Sequence, residues 1–90
     1  MQMPTQVNVC GSNTTLRPGD RFEFINYQSA TCTVSNCSPP LVNSSYTVSA
    51  ATSSGGSTCP AQVQSNAPTG SYTLDVNCCA PDGHPIVIIQ

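Results

Sequence analysis

The residues best suited to chemistry lie together near the end of the chain. Residues 78–85, Cys-Cys-Ala-Pro-Asp-Gly-His-Pro, hold two of the six cysteines and the only histidine. Cys79 and His84 are separated by four residues, and a thiolate and an imidazole are both ligands that soft or borderline metal ions favour. This segment can therefore support either a metal site or a disulfide bridge.

Two predicted strands must position this segment. Residues 70–76 alternate apolar and polar side chains, with Tyr72, Leu74 and Val76 on one face, and residues 86–89 form a short apolar run. Alternation with a period of two is typical of a half-buried strand, and a short apolar run is typical of a strand in a packed core. The segment is therefore predicted to be a loop between two strands.

Nucleophilic catalysis fits the sequence poorly. Serine, histidine and aspartate are all present, but only Asp75 and Asp82 lie near His84 along the chain. No Gly-x-Ser-x-Gly motif, which would expose a serine on a tight turn, occurs. We therefore expect no enzymatic activity.

Chain length and cysteine content indicate a small domain held by covalent bridges. Ninety residues make a single domain, residues 1–90. A chain this short buries only about 60 to 65% of its unfolded surface, so its core alone stabilises it modestly. An even number of cysteines favours up to three disulfides and an oxidising compartment, secreted or periplasmic. The disulfide candidates are Cys10, Cys32, Cys37, Cys59, Cys78 and Cys79.

The charge of the chain excludes some partners. Arg17 and Arg21 are the only cationic side chains apart from the histidine, and the formal net charge is −2. Nucleic-acid binding is not expected, because a phosphate-binding face needs clustered lysine and arginine.

The sequence has no apolar run of 18 residues, so no membrane span is expected. Residues 1–5 lack the pattern of a signal peptide, and we interpret the sequence as a mature or excised domain with an added start residue.

The rest of the chain is predicted to form short strands separated by turns. Residues 20–26 alternate most regularly, with Phe22 and Phe24 on one face and Ile25 on the other. Pro18-Gly19 before them suits a type II turn, and residues 11–15 are predicted to be a turn as well. No segment has helical periodicity, and about seven short strands predict a β-sandwich. The other predicted strands are residues 6–10, 31–36, 44–50 and an edge strand at 60–64, with a flexible loop at 52–58. The predicted core comprises Phe22, Phe24, Tyr72, Leu74, Val76 and alternate residues of 86–89.

Two sequence segments resemble a known family. In residues 16–26 a Pro-Gly-Asp turn opens a strand that ends in Asn26, and six residues later Cys32 is followed by Thr-Val. Residues 69–73, Thr-Gly-Ser-Tyr-Thr, precede the Cys79-x4-His84 pair. This arrangement resembles the cupredoxins, the azurin and plastocyanin type of copper protein, from residue 16 to the C-terminus. The resemblance implies an all-β, Greek-key β-sandwich of about seven strands, here stapled by disulfides.

The metal-ligand positions depart from the cupredoxin pattern. Cys32 stands where the resemblance expects the first copper-binding histidine, and Ile88 stands where it expects the axial methionine. A blue copper site needs two imidazoles and one thiolate. Because the chain has one histidine, it cannot assemble a standard electron-transfer centre by itself.

The resemblance leaves two interpretations of Cys32. In the first, Cys32 forms a disulfide with Cys78 or Cys79 where the family holds its metal. In the second, Cys32, Cys79 and His84 form a soft site for copper, as Cu(I), or for zinc. An oxidising compartment and an even cysteine count favour the first. A bond between the adjacent Cys78 and Cys79 would be strained, so each is expected to have a different partner.

The resulting functional expectation is a secreted or periplasmic, cupredoxin-like structural or binding module without a standard blue copper centre and without a cofactor. A protein partner or self-assembly into an extracellular assembly is expected, because a net charge near zero weakens repulsion between chains. The first alternative is a copper-binding protein that uses Cys32, Cys79 and His84. The second is a carbohydrate- or surface-binding domain that uses Tyr27 and Tyr46, both expected to be exposed.

Overall fold

The computed structural model describes residues 5–11, 13–38, 40–79 and 84–90, and within them the chain is all β. The described residues form nine strands, and none of them forms a helix that could span a membrane. The strands are β1 Thr5–Asn8, β2 Asn13–Leu16, β3 Arg21–Asn26, β4 Cys32–Ser35, β5 Tyr46–Val48, β6 Ser57–Gln62, β7 Gly70–Thr73, β8 Asp75–Val76 and β9 Ile86–Ile89.

These strands form three sheets of three strands each within the described residues. In the first sheet β3 lies between β1, which runs parallel to it, and β6, which runs antiparallel. In the second sheet β9 lies between the parallel β2 and the antiparallel β7. In the third sheet β4 lies between β5 and β8, and both are antiparallel to it. Most of these neighbours are far apart in sequence, so long-range pairing holds the fold together.

The alternating face of β3 anchors the hydrophobic core, as predicted. Phe22 and Phe24 are buried, and their rings meet edge to face with centroids 5.1 Å apart. Leu74, Val87 and Ile89 are also buried, whereas Tyr72 and Val76 are only partly buried at the margin. The predicted core is therefore confirmed except for those two residues. Ile25 was assigned to the opposite face but is buried too.

The predicted turn before β3 is confirmed. The N–H of Asp20 donates to the carbonyl of Arg17 at 3.0 Å, and Gly19 has a φ of +85°. A positive φ at the third position defines a type II turn and favours glycine there. The carboxylate of Asp20 accepts the N–H of Arg17 at 2.9 Å, which closes the turn from the other side.

Residues 70–76 do not form one strand as predicted but two, β7 and β8, in different sheets. Leu74 lies between them, and its N–H donates to the carbonyl of Pro85 at 3.0 Å. The side-chain alternation continues through Leu74, which is why the sequence pattern alone did not reveal the change of sheet.

Two other predicted boundaries were wrong. Residues 11–15 were predicted to be a turn, but β2 begins at Asn13 and pairs along its whole length with the apolar β9. The predicted loop at 52–58 ends earlier, because β6 already begins at Ser57. The β-branched residues Thr14 and Thr15 suit a strand, and their pairing with β9 overrides the turn signal of the preceding glycine. The extra β2 and the division at Leu74 raise the number of strands from about seven to nine.

Candidate functional site

Four cysteines meet in space, and we call this group the sulfur cluster: Cys10, Cys32, Cys78 and Cys79. Cys10 is joined to Cys79 and Cys32 to Cys78, with Cα atoms 5.3 and 5.2 Å apart. The bridges connect residues 69 and 46 positions apart in the sequence. They therefore link the beginning of the chain to its end and the middle to its end.

The two disulfides are in contact with each other. The Sγ atoms of Cys78 and Cys79 are 3.6 Å apart, which is a van der Waals contact because each sulfur is bonded to a different partner. The sulfurs of Cys10, Cys78 and Cys79 all lie within 4.8 Å of one another. Cys32 is fully buried, and the other three are partly buried against the core. The cluster is thus packed against the hydrophobic core.

Strand register explains why Cys78 bonds to Cys32. In the antiparallel pair of β4 and β8, Val34 lies opposite Val76. Two residues further along the same register, Cys32 faces Cys78. The intervening position is fixed by a hydrogen bond of 2.9 Å from the N–H of Thr33 to the side-chain oxygen of Asn77. Because neighbouring side chains of an extended segment point to opposite sides, Cys79 is directed away from β4 and toward Cys10.

Asn26 fixes the loop that leads into Cys32. It is the one polar residue that is fully buried among those described, and its amide nitrogen donates to the carbonyls of Ala30 and Ser49 at 3.0 and 2.9 Å. Its side-chain oxygen accepts the N–H of Gln28 at 2.8 Å. A buried amide satisfied at both ends holds the loop in one conformation. The end of β3, the loop and β5 are thereby tied together beside the sulfur cluster.

The structure distinguishes between the partners that the sequence left open for Cys32. It bonds to Cys78, and Cys78 and Cys79 have different partners, as expected. Cys79, proposed from sequence as a metal ligand, is bonded to Cys10. His84 is exposed. Residues 80–83, which include Asp82, lie outside the described part of the chain. In the oxidised form described here, neither Cys32 nor Cys79 offers a thiolate.

Sequence reasoning missed the place of Cys10 in this cluster. Cys10 follows β1, and β1 lies beside β3 through a parallel pairing that no local pattern announces. The N–H of Val9 continues that pairing by donating to the carbonyl of Ile25 at 3.1 Å. The one available signal was a cysteine as the last residue of a predicted strand, residues 6–10, which indicates a strand end but does not identify the neighbouring strand.

Cys37 and Cys59 are not bridged, so the protein has two disulfides rather than three. Cys37 is fully buried, and its burial, together with the negative charge of Asp75, raises the pKa of its thiol to about 11. Burial also raises the pKa of the Cys59 thiol. Both thiols are therefore protonated at neutral pH, which makes them weak nucleophiles and weak metal ligands.

A second feature, which we call the groove, lies where β5 and β6 approach each other. Its volume is about 290 Å³. Tyr46, expected to be exposed, is instead 7% exposed, because its ring packs on Phe24 with centroids 5.3 Å apart. Tyr27 is 57% exposed, as expected. The groove is lined by Arg21, Val42, Asn43, Tyr46, Pro60, Ala61 and Gln62.

Comparison of the chain with known protein families and with curated proteins found no match to either.

Proposed function

We propose that this protein is a secreted or periplasmic, cupredoxin-like structural or binding module that lacks a blue copper centre. One observation carries the proposal: the cysteines at the two ligand positions indicated by the sequence resemblance are both bonded in disulfides, Cys32 to Cys78 and Cys79 to Cys10. A blue copper site needs a free thiolate and two imidazoles. The chain offers one imidazole, and it is exposed.

Several features support the cupredoxin-like part of this proposal. The Pro-Gly-Asp segment forms a type II turn that opens β3, and β3 ends at Asn26. Cys32 and the segment before His84 meet in space although they are far apart in sequence. Two adjoining disulfides also favour an oxidising compartment, because cytosolic thiols are kept reduced.

Thiol counting combined with a copper titration tests this proposal. The denatured but unreduced protein should show two reactive thiols, those of Cys37 and Cys59. Adding Cu(II) to the folded protein should produce no intense visible band, because that absorption requires a copper–thiolate bond. More than two thiols, or a saturable intense band in the wild-type protein, would contradict the proposal.

A second candidate function is soft-metal binding by the reduced protein, and the contact between the two disulfides favours it. A dithiol reductant would give two electrons and two protons to each disulfide and leave four thiols. Three of these sulfurs already lie within 4.8 Å of one another. A tetrahedral zinc site with Zn–S bonds of about 2.3 Å separates its sulfurs by about 3.8 Å. Small side-chain movements would therefore suffice to surround one ion.

Zinc binding before and after anaerobic reduction separates this candidate from the first. If it holds, the reduced protein binds one Zn(II) per chain with release of thiol protons, and the oxidised protein binds none. Substituting His84→Ala shows which ligand set is used, since the set of Cys32, Cys79 and His84 needs the imidazole and the four-cysteine set does not. A reduced, folded protein that binds no zinc would eliminate this candidate.

A further inference from the structure

We propose that the groove binds a carboxylate-bearing sugar, with Arg21 pairing with the carboxylate. This inference rests on the binding role proposed above and specifies its site and ligand class. None of the four cysteines of the sulfur cluster lines the groove, so the two are separate sites.

The charge at the groove comes from Arg21. It is one of only two arginines, and the chain has no lysine. The two acidic residues nearest to it in sequence are engaged elsewhere: Asp20 accepts the N–H of Arg17 at 2.9 Å, and Glu23 accepts the side-chain amide of Gln6 at 2.8 Å. Among the described residues neither carboxylate pairs with Arg21, so its guanidinium can bind an incoming carboxylate through two parallel hydrogen bonds.

The neighbouring polar groups suit a ligand with hydroxyls. The hydroxyl oxygen of Tyr46 accepts the N–H of Asn43 at 3.3 Å, which leaves its own proton free to donate. The side chain of Asn43 is exposed and offers an amide. The amide nitrogen of Gln62 donates to the carbonyl of Gly19 at 3.4 Å, so its oxygen is free to accept. Donors and an acceptor around one arginine match a sugar acid better than an apolar ligand.

Apolar side chains complete the wall of the groove. Val42 is 52% exposed, and Pro60 is also exposed. Together they offer a surface on which the C–H face of a sugar ring can pack. A volume of about 290 Å³ is at the small end of ligand sites, which suits one or two sugar rings rather than a folded partner.

Pro60 also disfavours a peptide added as an extra strand. It lies within β6, which is an edge strand of its sheet, and proline has no N–H to donate to a neighbouring strand. Further along, the carbonyl of Gln62 already accepts the N–H of Val42 at 3.0 Å. Two positions of this edge are therefore closed to strand pairing, which leaves side-chain recognition of a small ligand.

The low overall charge limits the ligand to few negative groups. The protein carries a formal net charge of −2, so a densely charged anion would be repelled, whereas one carboxylate opposite one arginine is balanced.

The groove is also preformed, because Tyr46 is packed on Phe24 and residue 42 is hydrogen-bonded to β6. Preformed sites lose little conformational entropy when a ligand binds.

The test is a titration of the oxidised protein with a galacturonate disaccharide, followed by calorimetry and by backbone amide NMR shifts. The matched neutral probe is the galactose disaccharide. We expect saturable binding of the acidic sugar, with shifts centred on Asn43, Tyr46, Ala61 and Gln62, and binding at least about tenfold weaker for the neutral sugar. That ratio corresponds to the loss of one charge-assisted contact.

The two arginines provide a matched pair of variants. Arg21→Gln should weaken binding of the acidic disaccharide by about tenfold or more, whereas Arg17→Gln removes the same charge outside the groove and should leave it within about twofold. Both side chains are exposed, so unchanged melting temperatures would show that both variants fold.

Four results would overturn the inference: no saturable binding of the acidic disaccharide, equal binding of the neutral sugar, equal loss in the two arginine variants, or equally tight binding of a short peptide with a free terminal carboxylate. None of them alters the thiol count or the copper titration. The sugar titration can therefore fail while the thiol count and the copper titration still support the proposed function, so the two proposals are tested separately.

Discussion

The six cysteines form two groups that differ in their chemistry: four are joined in disulfides, and two are free thiols. In the sulfur cluster, Cys10, Cys32, Cys78 and Cys79 stand at strand ends where register directs them toward one another. Cys37 and Cys59 are also packed against the core but are not bridged. An even number of cysteines therefore does not by itself determine how many of them pair, and for Cys32 and Cys78 the register of β4 and β8 brings the two thiols together.

The largest expected effect comes from removing the bridges. Each disulfide contributes about 2 to 4 kcal/mol to the free energy of unfolding, mainly by restricting the unfolded chain. Strong reductant should therefore lower the denaturation midpoint markedly or unfold the protein at room temperature, as followed by far-UV circular dichroism in urea. An unchanged midpoint after complete reduction would mean that the core is stable without the sulfur cluster.

Removing the buried amide beside the cluster should have the next largest effect. Asn26→Ala leaves the carbonyls of Ala30 and Ser49 and the N–H of Gln28 without their partner. Losing several buried hydrogen bonds should cost about 2 to 3 kcal/mol in the free energy of unfolding, as measured by urea denaturation. Asn43→Ala, at an exposed position, serves as a control and should cost less than about 0.5 kcal/mol. Equal costs would show that the network around Asn26 does not support the loop.

The two unbridged cysteines should differ from each other. Cys37→Ser places a hydroxyl in a fully buried site and should destabilise the protein by about 1 to 3 kcal/mol. Cys59→Ser, at a partly exposed position, should cost less than about 1 kcal/mol. Thermal unfolding of the two variants measures the difference. If both substitutions were neutral, Cys37 would have to be reachable by water.

The smallest expected effect is a fall in folding stability at alkaline pH. Burial, followed by the charge of Asp75, raises the pKa of Cys37 from 9.0 to about 11, so between these two values the unfolded thiol ionises while the folded one stays protonated. The folded state then binds more protons than the unfolded state, and stability falls as pH rises through this window. Cys37→Ala should remove that part of the fall, measured as the melting temperature against pH. An identical slope in the variant would assign the alkaline fall to other groups.

Local sequence patterns predicted those structural features that depend on a few consecutive residues. The alternation in β3 identified Phe22 and Phe24 as core residues, and the adjacency of Cys78 and Cys79 predicted that they take different partners. The Pro-Gly pair predicted its turn because glycine suits the positive φ observed at Gly19. These features are fixed by a few consecutive residues.

Long-range pairing could not be predicted in the same way. The parallel partners of β1 and β2, and with them the place of Cys10, depend on contacts between distant segments. Tyr46 was expected to be exposed, but its ring is buried against Phe24 from another sheet. The groove was missed for the same reason, since its lining combines Arg21 of β3 with residues 42, 43 and 46 and with residues 60–62, which are distant from Arg21 in sequence.

The Cys10–Cys79 bridge has a mechanical consequence. It joins residues 69 positions apart, so a pulling force applied to the chain on either side of it passes from one cysteine to the other through the disulfide. The chain between them is enclosed in a covalent loop, whereas β1 and β9 lie outside it and can be detached from their partner strands by the force. In the oxidised state the force can therefore extend only the chain outside the loop, and reduction would release the length of the enclosed chain.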